Sequence, residues 1–250
     1  MKKVFIGSKI YIFDELTSTM DLSKEMILNN IEEGTTIVAN VQSNGRGSNG
    51  RKWVSKDEDA LFSLILKPLN SRLNLLSIIT SYSIMKVLEK ITTKDIKIKW
   101  PNDVLVDGKK ISGVLVENYI NTSNYSIIGI GINVNSNHKD KKNFIYPSTS
   151  IKDILGEKTS RFSIIKLFLD RFQNDYNDLI NNRIKISDIS NHLFALGELT
   201  TFRSNYKNLQ KESNKTKYKI LYLNIDGTLT VSNNKGERIN ISSSEIIFED

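Results

Sequence analysis

Three glycines and three cations crowd into NGRGSNGRKW, Asn44 to Trp53: Gly45, Gly47 and Gly50 with Arg46, Arg51 and Lys52. Glycine lacks a Cβ and lets a ligand approach the backbone closely. Arginine grips phosphate or carboxylate through two parallel N–H···O bonds. Such a loop suits an anion, and Trp53 at its end could stack on a base. The spacing Gly45-x-Gly47-x-x-Gly50 is that of a dinucleotide-binding loop, but that loop needs a helix after it and an acid about 20 residues on. Here residues 51–59 are charged and run into a second apolar stretch, and residues 65–69 read Ile-Leu-Lys-Pro-Leu. A P-loop fails too, because Arg51 and Lys52 stand where Lys and Ser or Thr belong. Two readings stay open from this stretch alone: an anion-binding loop, or a flexible basic surface loop with Trp53 in the core.

Three further clusters could act with it. Lys99-Trp100-Pro101-Asn102-Asp103 places a cation, an aromatic ring and an acid around one proline. Lys110-Ile111-Ser112-Gly113-Val114-Leu115-Val116-Glu117 carries a lysine and a glycine three apart. Gly129-Ile130-Gly131-Ile132-Asn133-Val134-Asn135 alternates glycine with isoleucine. Singly, each has an ordinary explanation. Trp100-Pro101 would be an apolar strand end, Lys110 a solvated hairpin lysine, and Gly129 and Gly131 relief of crowding in a sheet.

The elements that must hold these clusters are legible from periodicity. Residues 10–14 read as a strand; Ser18 or Thr19 then opens an amphipathic helix, with Asp21 completing an S-x-x-D cap. TTIVANVQ (35–42) is a β-branched strand running into the glycine loop, and LFSLILK (61–67) is the next strand. A long helix is expected over about 72–91, with Leu76, Ile79, Ile84, Val87 and Leu88 on its buried stripe. IKIKW (96–100) is a short strand stopped by Pro101. A hairpin turning at Asp107-Gly108 follows, in type I′ geometry. A second turn, NTSN, leads into YSIIGIGINVN (125–135), and helices are expected near 150–155 and 161–181. After about residue 196, LTTFRSN, KYKILYLN, GTLTVSN, ERINIS and EIIFE read as five short strands of a small barrel. The fold class is therefore α+β: a mixed, largely antiparallel sheet packed with helices over 1–195, then a small β-barrel over 196–250.

A chain of 250 residues can bury one sizeable core plus a small appendage. It contains no run of about 18 apolar residues, and MKKVFIGSKIYIFDEL does not read as a secretory h-region. Zero cysteines exclude disulfides, thiolate zinc sites and a Cys nucleophile. A cytoplasmic protein that neither spans a membrane nor binds one is the simplest expectation. The net charge of +7 comes from lysines scattered along the chain, without interleaved aromatics, which reads as a solvated surface rather than a nucleic-acid footprint.

Taken together and in order, the clusters resemble the biotin protein ligase family. The family pattern G-R-G-R-x-G-R-x-W is similar to Gly45–Trp53, and K-W-P-N-D is Lys99–Asp103. K-x-x-G-[IV]-L-x-E is Lys110–Glu117, G-x-G-[IL]-N is Gly129–Asn133, and the earlier S-T is Ser18-Thr19. The resemblance covers essentially the whole chain, with the family's SH3-like C-terminal domain at 196–250. It implies a class II synthetase-like catalytic domain that joins biotin to ATP, giving biotinyl-5′-adenylate and pyrophosphate. The biotinyl group then passes to one lysine of a biotin carboxyl carrier protein.

By the same resemblance, Arg46 and Lys110 are the cations near the carboxylate and α-phosphate, with Mg²⁺ on the phosphates. Ser18, Thr19 and Gln42 match positions that bind biotin's ureido head. Gly113, Gly129 and Gly131 would let the thioether ring and tail lie on bare backbone. Trp53 matches a position packed on adenine, and Asp103 an acid that orients or deprotonates the incoming lysine. Met20, Gly45, Gly47, Ser48, Arg51, Asn102 and Asn133 complete the expected binding set; no metal ligands can be named. Family members dimerise by pairing sheets, and a homodimer is within that pattern.

Three departures from the family pattern stand out. Met20 stands where Asn is usual, Ser48 where a second Arg is usual, and Ser242-Ser243-Ser244-Glu245 where a G-E pair is usual. One fewer cation in the loop predicts weaker retention of the adenylate. The first strand lies near residue 10, which leaves no room for a helix-turn-helix and predicts a ligase without operator binding. Lipoate ligases share the fold but carry R-R-x-x-G-G-G, which is absent. A non-enzymatic nucleic-acid-binding protein would fit the charge, and a degenerate ligase that binds biotin without turnover would fit Met20 and Ser48.

Overall fold

β-Branched and apolar runs bounded by turn residues fold as strands, and seven of them make one mixed sheet. The computed structural model describes residues 4–53, 58–68, 70–119, 124–137, 147–204, 217–242 and 244–247. The sheet contains β1 (Ile10–Leu16), β2 (Thr36–Gln42), β3 (Ala60–Leu66), β4 (Ile96–Lys99), β5 (Asp103–Val106), β6 (Lys109–Tyr119) and β7 (Tyr125–Ile132). Their order is β1-β2-β3-β7-β6-β5-β4. Only β1 and β2 pair in parallel, joined through helix α1 (Thr19–Leu28). The remaining pairs are antiparallel, as the meander of short strands implied.

The centre of the sheet explains the loss of alternation in the sequence. Every residue of β3 and β7 is buried, so ALFSLIL and YSIIGIGI read as continuous apolar runs. Helices α2 (Leu76–Leu88) and α4 (Arg161–Ile180) cover one face and α1 the other, giving one large and one small apolar cluster. On α4 the rings of Phe168, Phe172 and Tyr176 follow one another at i, i+4, with centroids 5.4 and 5.8 Å apart. Phe62 of β3 meets Phe168 edge-on at 5.3 Å.

The helix expected over 72–91 is shorter and more deeply buried than its periodicity suggested. A 3₁₀ stretch (Asn70–Leu75) leads into α2, which sits between α4 and the sheet and buries Ile78, Met85 and the hydroxyls of Thr80 and Ser83 besides its apolar stripe. The hydroxyls are tolerated because each finds an acceptor, Thr80 Oγ1 on Leu76 O within the helix at 2.6 Å and Ser83 Oγ on the Asp175 carboxylate of α4 at 2.7 Å. The Asp107-Gly108 turn has φ of +48° and +72°, the paired left-handed conformation of a type I′ hairpin.

Helices α3 (Ile151–Leu155) and α4 follow as expected, with N-caps Ser150 and Ser160. Helix α5 (Ile186–Ser190) was not foreseen; five residues give periodicity too little to work with. It leads to residues 192–194, whose backbone pairs with Ile98 of the sheet's outer strand β4. Strands β8 (Leu199–Ser204), β9 (Lys217–Leu223), β10 (Leu229–Ser232), β11 (Arg238–Ile241) and β12 (Ser244–Ile247) form a second, antiparallel sheet in the order β11-β10-β9-β8-β12. This sheet docks on the first where Trp100 Nε1 donates to Gly227 O at 3.1 Å. Part of the NTSN turn and Ser243 of the serine run lie outside the described residues. Among the described residues no helix is long and apolar enough to cross a membrane.

Candidate functional site

Residues directly opposite on neighbouring strands project from the same face of a sheet. Register therefore places Asp103, Gly113, Gly131 and Leu61 in one row across β5, β6, β7 and β3. Leu115, Gly129 and Ser63 make the next row, and Glu117, Ile127 and Ile65 the third. The three glycines open a track along the face that α1 only partly covers. A Cβ on Gly131 would lie 2.8 Å from Trp53 Nε1, one on Gly113 2.9 Å from Trp53 Cζ3, and one on Gly129 2.5 Å from Met20 Sδ. The track thus already holds an indole ring and a thioether, both supplied by the protein itself. Trp53 Nε1 is buried there without an acceptor.

The loop that delivers Trp53 is a small hairpin, not the start of a helix. Trp53 N donates to Gly45 O at 2.9 Å, Arg46 and Lys52 pair antiparallel, and Gly47 N donates to Arg51 O at 2.7 Å. A 3₁₀ turn, Ser48–Gly50, closes the tip. Gly45 is required where the hairpin crosses itself, since a Cβ would lie 2.9 Å from Trp53 O. Arg51 folds back onto Ser48, with Nε 3.1 Å from its carbonyl and Nη2 2.8 Å from its hydroxyl. Ser48 thus tethers a neighbouring cation.

The β3 side of the track is lined by neutral polar groups. Ser18 caps α1 by accepting from Met20 N at 3.3 Å. Thr19 N donates to Gln42 Oε1 at 2.7 Å, and Ser63 Oγ donates to Thr19 Oγ1 at 2.6 Å. Only the Ser18 half of the expected S-x-x-D cap forms: the Asp21 carboxylate turns away and takes Arg46 Nη1 at 2.5 Å. An arginine within reach offers that carboxylate a charged partner, which outweighs a second bond to a helix N–H.

The β6 side is lined by charges. Lys110 Nζ lies 2.6 Å from Asp103 Oδ1, as an ion pair not aligned as a hydrogen bond, and 5.5 Å from the Trp53 ring centroid. Arg46 Nη2 reaches Glu117 Oε1 at 3.7 Å. The other Glu117 oxygen accepts from the Tyr119 hydroxyl at 2.7 Å, and burial, with Glu117 beside it, pushes that phenol up to about 12. The Lys110 backbone is clamped on both sides, its N–H on Pro147 O and its C=O under Thr149 N, each at 2.9 Å.

Two expected binding residues hold backbone in this structure. Asn102 Nδ2 donates to Val114 O at 2.7 Å, and Asn133 Nδ2 to Thr149 O at 2.9 Å. Beyond Asn133, the Asp59 carboxylate accepts from Val134, Asn135 and Ser136 N at 2.8, 3.2 and 3.2 Å. Burial pushes Asp59 up despite those bonds. Asp21, Asp59 and Ser63 were missed as parts of this site. Ser63 alone left a signal, as the one hydroxyl in ALFSLIL. Among the described residues no three His, Cys, Asp or Glu side chains could together hold a metal ion. The arrangement suits a flat ring lying on bare backbone, read by neutral donors and acceptors on one side and bearing an anion toward two cations on the other.

Comparisons with known proteins bear on the family of the chain. The model of the Biotin/lipoate A/B protein ligase family matches residues 12–134. The bifunctional ligase/repressor BirA of Bacillus subtilis is 31% identical over 243 residues, which are 94% of this chain and 73% of that protein. The biotin–[acetyl-CoA-carboxylase] ligase of Paracoccus denitrificans is 32% identical over 103 residues, 40% of this chain and 43% of that one. The biotin protein ligase of Aquifex aeolicus, solved in complex with biotin and ATP, superposes with a TM-score of 0.81 at 29% identity, over 96% of this chain and 98% of that one. With nearly its whole length aligned to one member and superposed on another, the chain belongs to the biotin/lipoate A/B protein ligase family, among the biotin protein ligases.

Proposed function

We propose that this protein is an ATP-dependent biotin–protein ligase that biotinylates a lysine of a biotin carboxyl carrier protein through biotinyl-5′-AMP. The observation that carries the reading is the glycine track, with neutral groups on one flank and Lys110 and Arg46 on the other. Biotin's rings take the track, displacing Trp53 and Met20, and its ureido head is read by Ser18, Thr19 and Gln42. A carboxylate oxygen of biotin then attacks the α-phosphorus of ATP, and the bond to pyrophosphate breaks. Both reactants are anionic, so Lys110 and Arg46 neutralise the approach.

In the second step the carrier lysine attacks the acyl carbon, AMP departs with its phosphate oxygen, and Asp103 takes the amine proton. Trp53 moves to cover the adenine, with Gly45, Gly47, Ser48, Arg51, Asn102 and Asn133 shaping the nucleotide side. Mg²⁺ enters on the ATP phosphates as part of the nucleotide substrate. That suits an ion that keeps its waters and takes few protein ligands, and this chain offers it no cage among the described residues. Residues 1–195 serve as the catalytic unit and 196–250 as the C-terminal domain, in a cytoplasmic enzyme. We assign no DNA-binding role, because the +7 charge is spread along the chain.

The test is exchange of labelled pyrophosphate into ATP, with biotin and lipoate in parallel, followed by transfer to a carrier domain. Exchange with biotin alone is the expected outcome. Exchange with lipoate alone moves the protein to the other branch of its family, and no exchange with either leaves a binding protein.

A further inference from the structure

β3 is buried along its whole length, and six of its seven residues, ALF-LIL, are apolar. Ser63 interrupts the run at its centre with a hydroxyl that is 0% exposed. A hydroxyl out of water needs a partner. Register aims Ser63 at the same face as Gly129, directly opposite it, rather than at the larger core beneath. There its proton goes to Thr19 Oγ1 at 2.6 Å, near the short end of the O–H···O range.

A threonine offers one hydroxyl proton, two hydroxyl lone pairs, one backbone N–H and one C=O. The Thr19 N–H is on Gln42 Oε1, its C=O accepts from Ser23 Oγ at 2.8 Å, and its hydroxyl oxygen accepts from Ser63. What is left is its own hydroxyl proton, which has the track to point into. Were the bond reversed, Thr19 would donate to Ser63, and the Ser63 proton would be stranded among Ile37, Leu61 and Ile65, its buried apolar neighbours on that face. The lower-cost arrangement makes Ser63 the donor and turns Thr19 outward as a donor.

We propose that Ser63 is a positioning residue for substrate selection: it fixes the Thr19 hydroxyl as a donor toward the track, where a ureido carbonyl is the acceptor it fits. The proposal rests on the assignment of the Thr19 cluster to biotin's head. Ser63 itself touches no substrate; it acts by removing the alternative rotor position of the Thr19 O–H.

The experiment is a double-mutant cycle on Ser63→Ala and Thr19→Val, read as the KM for biotin, the KM for ATP and kcat in pyrophosphate exchange. Loss of one oriented hydrogen bond predicts an increase of about 5- to 20-fold in biotin KM for Ser63→Ala, with ATP KM and kcat within about 2-fold. Thr19→Val raises biotin KM at least as far, and the double variant is no worse than Thr19→Val alone. Multiplying effects in the double variant, or an equal rise in both KM values, overturns the proposal and makes Ser63 a packing residue. An effect of Thr19→Val but none of Ser63→Ala overturns it and leaves the head assignment standing. No effect of Thr19→Val removes the head assignment itself. If Ser63→Ala lowers the melting midpoint enough to blur the kinetics, Ser63→Cys keeps the volume and a weak donor, and an intermediate biotin KM is the required result.

Discussion

On the β3 side of the track, hydroxyls and an amide satisfy one another at 2.6–2.7 Å with Ser18, Thr19 and Ser63 buried. On the β6 side, Lys110 and Arg46 are held by carboxylates with their side chains 26% and 37% exposed. The difference follows from desolvation. Neutral polar groups can be sealed in a closed network at modest cost, whereas an ion stripped of water costs several kcal/mol even when paired. The neutral flank is therefore preorganised and reads shape. The charged flank remains in reach of solvent and pairs its cations with carboxylates, which on the proposed reading an arriving carboxylate or phosphate would replace. On the proposed reading, one flank selects the ligand and the other drives the chemistry.

The largest test of that division is Lys110→Ala. Removing a preorganised charge where charge develops costs on the order of 10²–10³ in rate. Biotin-dependent pyrophosphate exchange should fall by that factor, while biotin binding measured without ATP changes far less. Normal exchange in this variant would remove Lys110 from the chemistry and collapse the distinction between flanks.

Gly131→Ala attacks the track between them. Its Cβ would stand 2.8 Å from the place of Trp53 Nε1, so either the indole or a substrate ring must give way. Overpacking of this kind typically costs about 1–3 kcal/mol, which predicts a rise of about 5- to 150-fold in biotin KM. Tryptophan emission of the ligand-free protein should shift to the red as Trp53 is pushed outward. Unchanged emission together with unchanged biotin KM would mean that the track is not where rings lie.

Sequence showed much of this and hid the rest for definable reasons. Strands, the Asp107-Gly108 turn and the long helices announce themselves through periodicity and turn chemistry, because those signals are local. The charged flank was legible as well, since Lys110, Asp103 and Arg46 sit in short ordered clusters. The neutral flank was only half visible: Ser63 lies 44 positions from Thr19, and only the register of β3 against β7 brings them to one face. Asp21 was misread because its spacing fits a helix cap, while the competing Arg46 lies 25 residues away. That the track would be filled by Trp53 and Met20 could not be read at all; it depends on where a glycine hairpin folds back.

Ser48→Arg sharpens the charged flank from the other direction. A second arginine adds a cation beside the expected phosphate position and removes the hydroxyl that tethers Arg51 at 2.8 Å. The added charge should dominate, because a charge-assisted bond to phosphate outlasts a neutral tether. Release of biotinyl-adenylate, followed by chase with unlabelled ligand, should slow by about 3- to 10-fold. Faster release would show that the Ser48–Arg51 contact matters more than cation number.

Asp21→Asn carries the smallest effect and the most specific sign. The Arg46–Asp21 pair is more than a third exposed, so its direct contribution to stability is about 1 kcal/mol or less. An acid in the first turn of α1 also faces the positive end of the helix, worth a few tenths of a kcal/mol more. Losing both should lower the melting midpoint by a few degrees at most. Arg46 would then be left with Glu117 alone at 3.7 Å, and an incoming triphosphate would meet one fewer carboxylate competing for the same guanidinium. The KM for ATP should therefore fall, by about 2- to 3-fold at low ionic strength, with the difference shrinking as salt is added. A residue whose only work is to cap a helix would move stability and affinity in the same direction. Opposite signs, with salt erasing the affinity gain, identify a carboxylate that holds Arg46 until substrate takes its place.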